Sequence, residues 1–112
     1  MYMLVIQLLK QEFKEDLFMA LSSAGISLTT YCDGHNLDNE LGNKMPLFSG
    51  LFKSQEEKRH YSTLYFCLAE SMEQADAVVS GFELAGIDWR KERIFQMSVL
   101  PVEKFYTPDE EE

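Results

Sequence analysis

Two parts of the chain repeat one order of elements, and this repeat limits the fold more than any other feature. In each part an apolar run leads into residues at helical spacing and then into Ala-Gly-Ile, at 24–26 and again at 85–87. A glycine just past a helix suits the left-handed backbone that ends many helices. A strand-like segment follows each one. The chain is therefore predicted to run strand–helix–strand, a long connection, and strand–helix–strand again.

Periodicity and capping residues set the predicted elements. Apolar residues at helical spacing indicate a first helix from about Phe13 to Ala24. The second helix begins with a capping box, in which Ser71 caps and Gln74 reaches back. The predicted strands occupy 1–10, 26–32, 63–68 and 94–99.

Two right-handed βαβ halves that interleave form one antiparallel sheet. We therefore predict an α+β protein with the ferredoxin-like βαββαβ fold, a four-stranded antiparallel sheet with both helices on one face. At 112 residues the chain has room for one domain. We place it at 1–108, with a long loop at 33–61 between the second and third strands and an acidic tail at 109–112.

The strands carry more apolar side chains than one covered face requires. In the first strand Leu4, Ile6 and Leu8 point one way, whereas Met3 and Val5 point the other. The third and last strands show the same pattern. A large apolar patch exposed to water favours association, so we expect a homo-oligomer whose sheets meet in its interior. The alternative is that the long loop folds over this face.

Charge and hydropathy exclude two kinds of partner. Ten Lys and Arg against 19 Asp and Glu give a net charge of −9, which a nucleic-acid backbone would repel. No apolar run reaches the roughly 18 residues that span a bilayer. The first ten residues lack the basic start and the cleavage site of a signal peptide. We expect a cytoplasmic protein that does not bind nucleic acid and does not insert into a membrane.

Few side chains have the spacing of a known reactive site. The polar segment 32–40 holds Cys, His and acids, but no recognised metal-ligand spacing. Cys32 and Cys67 should lie about 15 Å apart along the strands, beyond disulfide reach. No P-loop and no convergent acid–base pair is present, so we predict no enzyme. Trp89 is either a core residue or, with Arg90 beside it, a shelf for a ligand.

Several segments, taken in order, resemble the PII-like family of signalling proteins over nearly the whole chain. They are Ala24-Gly25-Ile26, Asp33-Gly34, Met45-Pro46-Leu47-Phe48-Ser49-Gly50-Leu51, Arg59-His60-Tyr61-Ser62-Thr63 and Val99-Leu100-Pro101-Val102-Glu103. The last is the most specific, because family members close their final strand with a similar run.

The resemblance implies a trimer with inward-facing sheets and a ligand cleft between neighbouring subunits. The effector would be a small molecule, such as an adenine nucleotide, with no cofactor. A mobile arm at 34–59 would contact a protein target. The cleft residues that it implies are Gly34, His35, Asn36, Trp89, Arg90, Lys91 and Arg93.

Three other interpretations remain open. Nucleotide-binding family members carry a glycine-rich turn after the second helix, but no glycine follows Gly86 before the last strand. The chain could therefore be a PII-like scaffold that binds no nucleotide. It could also be a trimer similar to the CutA-like proteins, holding a divalent metal with Cys32, Asp33 and His35. An enzyme is the third alternative, because ferredoxin-like folds host many chemistries.

Overall fold

The computed structural model describes residues 1–35, 37 and 61–109. Most of the predicted arm, including Asn36, and the last residues of the acidic tail lie outside the described residues. The elements are β1 (Tyr2–Leu8), a 3-10 turn (Gln11–Phe13), α1 (Lys14–Ser23), β2 (Ser27–His35), β3 (Tyr61–Ala69), α2 (Met72–Leu84) and β4 (Phe95–Pro101).

The four strands form one antiparallel sheet in the order β2-β3-β1-β4. With two helices, this α+β arrangement is the predicted ferredoxin-like one. β1 lies in the middle, opposite β3 and β4 along all of its residues. Among the described residues no helix is long and apolar enough to cross a membrane.

The core lies between the helices and one face of the sheet. Leu4, Ile6 and Leu8 of β1 are fully buried on this face. The two helices pack on this face with the buried side chains of Leu17, Ala20, Leu21, Ala75, Val78 and Phe82. The period-2 and helical patterns of the sequence therefore converge on one apolar layer.

The other face of the sheet, which we call the open face, carries the alternate residues of each strand. Its described residues are Met3, Val5, Gln7, Thr30, Cys32, Gly34, Ser62, Leu64, Phe66, Leu68, Gln96, Ser98 and Leu100. Met3, Phe66 and Leu100 are 37%, 36% and 46% exposed. The apolar second face predicted from the sequence is thus present and partly solvent-exposed in the single chain.

The end of β2 was predicted wrongly. The Asp-Gly pair indicated that the chain leaves the strand after Cys32, but β2 continues to His35. The reason is that β3 also begins earlier than predicted, at Tyr61, so that Asp33, Gly34 and His35 each lie opposite a β3 residue. Gly34 and His35 are therefore strand residues, and the connection runs from 36 to 60.

Gln74 joins the two halves of the repeat. Ser71 Oγ accepts from the Gln74 backbone N–H, as the capping box predicts. The Gln74 side chain reaches back one residue further than expected, to the backbone N–H of Glu70 at 2.7 Å. Its Nε2 donates to the carbonyl of Gly25 at 2.9 Å. The start of α2 is thereby fixed to the end of α1.

The two helices are in close contact where Gly81 of α2 faces Ala20 of α1. A Cβ added at Gly81 would lie 3.1 Å from the Ala20 Cβ and 3.4 Å from its Cα. Neither Ala20 atom can rotate away. A glycine inside a helix costs roughly 1 kcal/mol relative to alanine, so its presence here is explained by the close contact.

We therefore expect Gly81→Ala to lower the free energy of unfolding by about 1–2 kcal/mol, because overpacking outweighs the gain in helix propensity. Removing the opposing methyl group in the double variant Ala20→Gly/Gly81→Ala should recover much of this loss. Urea unfolding of the four proteins in the double-mutant cycle measures both effects. Additive changes would contradict a direct contact as the cause.

Candidate functional site

The structure places the predicted cleft residues in two groups at one end of the sheet. Gly34 and His35 close β2 at one edge, and the group Trp89 to Arg93 lies in the turn that leads into β4 at the other edge. The strand pairing places both groups at the same end of the sheet. Leu8, the last residue of β1, lies opposite Thr63 near the start of β3 and opposite Phe95 at the start of β4. Three strand spacings, about 14 Å, separate the two edges. One chain does not bring the groups together.

The turn after α2 uses its backbone N–H groups internally. Those of Glu92, Arg93 and Ile94 donate to carbonyls of the same turn, and that of Lys91 donates to Asp88 Oδ1 at 3.3 Å. A glycine-rich phosphate loop instead points its N–H groups at the ligand. The N–H groups of residues 91–94 are thus already engaged, so any contact of these residues to an anion would come from their side chains.

Trp89 is a structural residue of this turn. Its ring stacks on the buried ring of Phe95, with centroids 4.5 Å apart and planes at 19°, and it packs against the core. The Arg90 guanidinium carbon lies 4.5 Å from the Trp89 ring centroid, a cation–π contact. A planar ligand that stacked on Trp89 would compete with Arg90, so the core interpretation is the better supported one.

A depression of about 440 Å³ adjoins the turn and is lined by Glu83, Gly86, Ile87, Asp88, Trp89 and Arg90. Trp89 Nε1 donates to Glu83 Oε1 at 3.5 Å across it. Two carboxylates and one guanidinium line this hollow. The exposed ammonium and guanidinium groups of Lys91 and Arg93 lie on the same turn. The mixed charges suit a ligand with both anionic and donor groups better than a bare polyphosphate.

Arg93 has a left-handed backbone, with φ of +54°. A side chain in this region costs roughly 1–2 kcal/mol, whereas glycine adopts it freely. The turn thus has the shape of a glycine turn without the glycine. Sequence reasoning noted the missing glycine but could not predict that the backbone keeps the conformation glycine would favour.

The end of β2 forms the other half of the candidate site. Gly34 is partly buried, and a Cβ built there would lie 3.2 Å from Leu64 Cδ1 on β3. His35 is exposed at the last position of the strand. A group bound at His35 would therefore touch the point at which the chain leaves the sheet.

Strand geometry bears directly on the metal alternative. Cys32 lies opposite Leu64 on the open face, whereas Asp33 and His35 lie on the helix side of β2. The three side chains therefore do not converge. No group of three or more His, Cys, Asp or Glu side chains that could hold a metal occurs among the described residues.

Sequence reasoning missed an aromatic cluster between α1 and β2. The Tyr65 and Tyr31 rings are tilted by 31° with centroids 5.3 Å apart, and Phe18 meets Tyr65 edge-on at 6.0 Å. Lys14 Nζ lies 5.6 Å from the ring centroids of both Phe18 and Tyr31. Among the described residues, the buried Tyr65 hydroxyl has no hydrogen-bond partner. Burial, and then the nearby Tyr31, Asp33 and Cys67, raise the pKa of this hydroxyl, so it stays protonated. In the sequence, Phe18 is one of several apolar residues in the first predicted helix, and nothing local indicates its tyrosine partners.

Both cysteines are free, as predicted, but their surroundings differ. Cys32 is exposed, whereas Cys67 is 1% exposed in the core layer. Burial raises the pKa of the Cys67 thiol, an effect only partly opposed by a hydrogen bond with Thr29. The thiolate is the nucleophilic form, so both burial and protonation protect Cys67.

For Arg93 we compare two replacements at one position. Arg93→Ala keeps the left-handed strain, whereas Arg93→Gly removes it, and both remove the same guanidinium. We expect the glycine variant to be more stable than the alanine variant by about 1 kcal/mol. The midpoints of unfolding in guanidinium chloride test this difference between the two variants. Equal midpoints would show that the backbone at residue 93 relaxes away from φ of +54°.

For Cys67 we expect no alkylation by iodoacetamide in native Cys32→Ser protein at pH 8, under conditions in which the urea-unfolded protein reacts completely. Because the pKa of Cys67 is raised in the folded protein, its alkylation rate should increase only at a pH higher than the one at which an ordinary thiol begins to react. Intact-mass spectrometry measures the extent. Rapid reaction of native protein at pH 8 would contradict the burial of this thiol.

No protein-family model matches the chain, and no curated protein matches it. The resemblance to PII-like proteins therefore depends on the order and spacing of the segments quoted above, and it remains a prediction.

Proposed function

We propose that this chain is a PII-like homo-oligomeric regulatory protein, not an enzyme, that senses a small ligand in clefts between its subunits. The observation that carries the proposal is the position of the candidate residues. His35 and the turn at 89–93 lie at the same end of the sheet but on opposite edges. A site divided in this way is completed when two subunits meet.

A ring of identical subunits supplies such a meeting. In a head-to-tail interface one edge of a subunit faces the other edge of its neighbour, and a suitable rotation closes the ring. The β2 end of one subunit would then adjoin the β4 turn of the next. The trimer is the ring that the resemblance implies, with the open faces inside and the helices outside.

The open face supports association independently of the resemblance. Several hundred Å² of apolar surface is at the upper end of what monomers expose. At roughly 25 cal/mol per Å², covering a few hundred Å² stabilises an assembly by several kcal/mol per subunit. At one place on this face, Phe105 and Thr107 of the C-terminal segment line a hollow of about 290 Å³ together with Met3, Leu28 and Phe66.

The ligand should be small and at least partly anionic. Arg90, Lys91 and Arg93 supply three cations on an exposed turn, and arginine binds phosphate or carboxylate in a planar fork. An adenine nucleotide fits this description only if side chains hold its phosphates, because the backbone N–H groups of residues 91–94 are already engaged. A carboxylate metabolite needs fewer donors and is the alternative within the same proposal.

The signal would pass through the connection at 36–60 to a protein target. His35 and Tyr61 form the last pair of the β2–β3 ladder. A ligand that contacts His35 would favour some conformations of the following segment over others, and it shifts their populations by its difference in affinity. We keep the divalent-metal trimer only as a rival, because Cys32 lies on the opposite face from Asp33 and His35.

A thermal-shift panel gives the first test of the ligand class. Purified protein is heated with ATP, ADP, AMP, cyclic nucleotides, dicarboxylates and divalent metals. A ligand at 100 times its Kd stabilises the native protein by about 2.7 kcal/mol, a shift of several degrees for a chain of this size. A response to one anion class supports the proposal, and a response to a metal alone favours the rival.

A complementation experiment tests the divided site. We expect His35→Ala and Arg90→Ala proteins each to lose the thermal shift with the ligand found above. When equal amounts are unfolded and refolded together, roughly a quarter of the junctions in the mixed rings should combine two intact edges. Calorimetric titration should then recover that fraction of sites.

The control for this mixture is each variant refolded alone, together with the two variants mixed after separate refolding. No recovery after joint refolding, with mixed rings verified by native mass spectrometry, would place the whole site within one subunit. Monomeric wild-type protein at every concentration tested would reject the oligomer itself.

A further inference from the structure

A row of hydrogen-bonded polar side chains crosses the open face next to its apolar residues Val5, Leu64 and Phe66. We infer that this row, formed by Gln96, Gln7 and Ser62, sets the register in which copies of the chain pack against one another. The inference rests on the proposed self-association and adds to it the residues that decide how the faces are aligned.

The row follows from the pairing of the strands. Gln7 of β1 lies directly opposite Gln96 of β4, and Ser62 of β3 lies diagonally across on the other side. Gln96 Nε2 donates to Gln7 Oε1. Gln7 Nε2 donates to Ser62 Oγ at 2.8 Å. Three strands are thereby linked side chain to side chain across the sheet.

These bonds prepare the polar groups for burial. A glutamine on a solvated surface satisfies its amide with water, and covering it then costs the loss of that water. Here Gln7 already binds protein groups on both sides, and Ser62 is only 2% exposed. Covering this row therefore removes less hydration than covering three separate polar side chains.

The open face also lacks charge. None of its described residues is Asp, Glu, Lys or Arg, although a quarter of the chain is charged. Two copies with a net charge of −9 each repel one another. An uncharged face is where such copies can approach with least repulsion. This pattern favours a second copy over an oppositely charged partner, which would select a charged surface.

An amide row fits its own copy. An amide offers both donors and an acceptor, and exposed Gln96 uses only one N–H in the bond to Gln7. Its oxygen and second N–H can pair with the same groups of a neighbour. Sliding the faces by one residue pair would bring Gln7 against apolar side chains such as Val5. A polar residue in an apolar interface specifies register in this way, at some cost in stability.

The central test replaces Gln7 by Leu, which keeps approximate size and removes the amide. Gln7→Leu protein should still associate, because its open face is more apolar, but it should populate several stoichiometries where the wild type shows one. Native mass spectrometry across a dilution series measures the distribution. Val5→Ile, a change on the same strand and face that leaves the row intact, is the matched control and should keep the wild-type stoichiometry.

A second variant at the same position tests the inference by a different change. Gln7→Glu should dissociate the assembly at pH 7, where like charges would be buried together, and should associate again near pH 4 as the carboxyl protonates. Circular dichroism verifies that each variant is folded. Uniform wild-type stoichiometry in both Gln7 variants would overturn the inference and leave the oligomer standing, whereas a monomeric wild type would overturn both.

Discussion

Strand β1 holds this molecule together. It lies opposite β3 on one side and β4 on the other along all seven of its residues. On the helix side it buries Leu4, Ile6 and Leu8 completely. The other elements are positioned relative to β1. The helices cover its buried face, edge strand β4 pairs with it directly, and edge strand β2 is joined to it through β3. Because a single strand fixes the sheet, both edges are held in a definite relation although they share no contact.

Among the described residues, no second layer of helices or strands covers the other face of the sheet. A two-layer α/β protein covers one face only, and a monomer then places polar side chains on the other. This chain instead places Met3, Val5 and Phe66 there, and none of the described strand residues on this face is charged. In the proposed function the open face and the candidate site have one common consequence, because a neighbour in a ring would complete both.

The sequence predicted the elements whose signals are local and repeated. Helical spacing, the Ser71–Gln74 cap and the two glycines past the helices located both helices, and runs of bulky apolar residues located β1 and β3. What failed was the end of β2, because Asp33-Gly34 is a turn signal in isolation. Its strand conformation depends on the facing residues of β3. The end of β2 is set by its pairing with β3, a segment distant in the sequence, and no local sequence pattern indicates that pairing.

The candidate site was predictable in residue type but not in arrangement. The sequence shows three cations and a tryptophan after α2, yet the stacking of Trp89 on Phe95 and the left-handed Arg93 arise from how the turn closes on the core. That closure engages the turn's own N–H groups and leaves the cationic side chains exposed. The turn can therefore present charge to a ligand without enclosing it, and in the proposed function a second subunit's edge would supply the other wall. A site with one wall per subunit would bind only in the assembled state, so the ligand would stabilise the assembly as well as the fold. Ligand binding and self-association would then be linked through the open face.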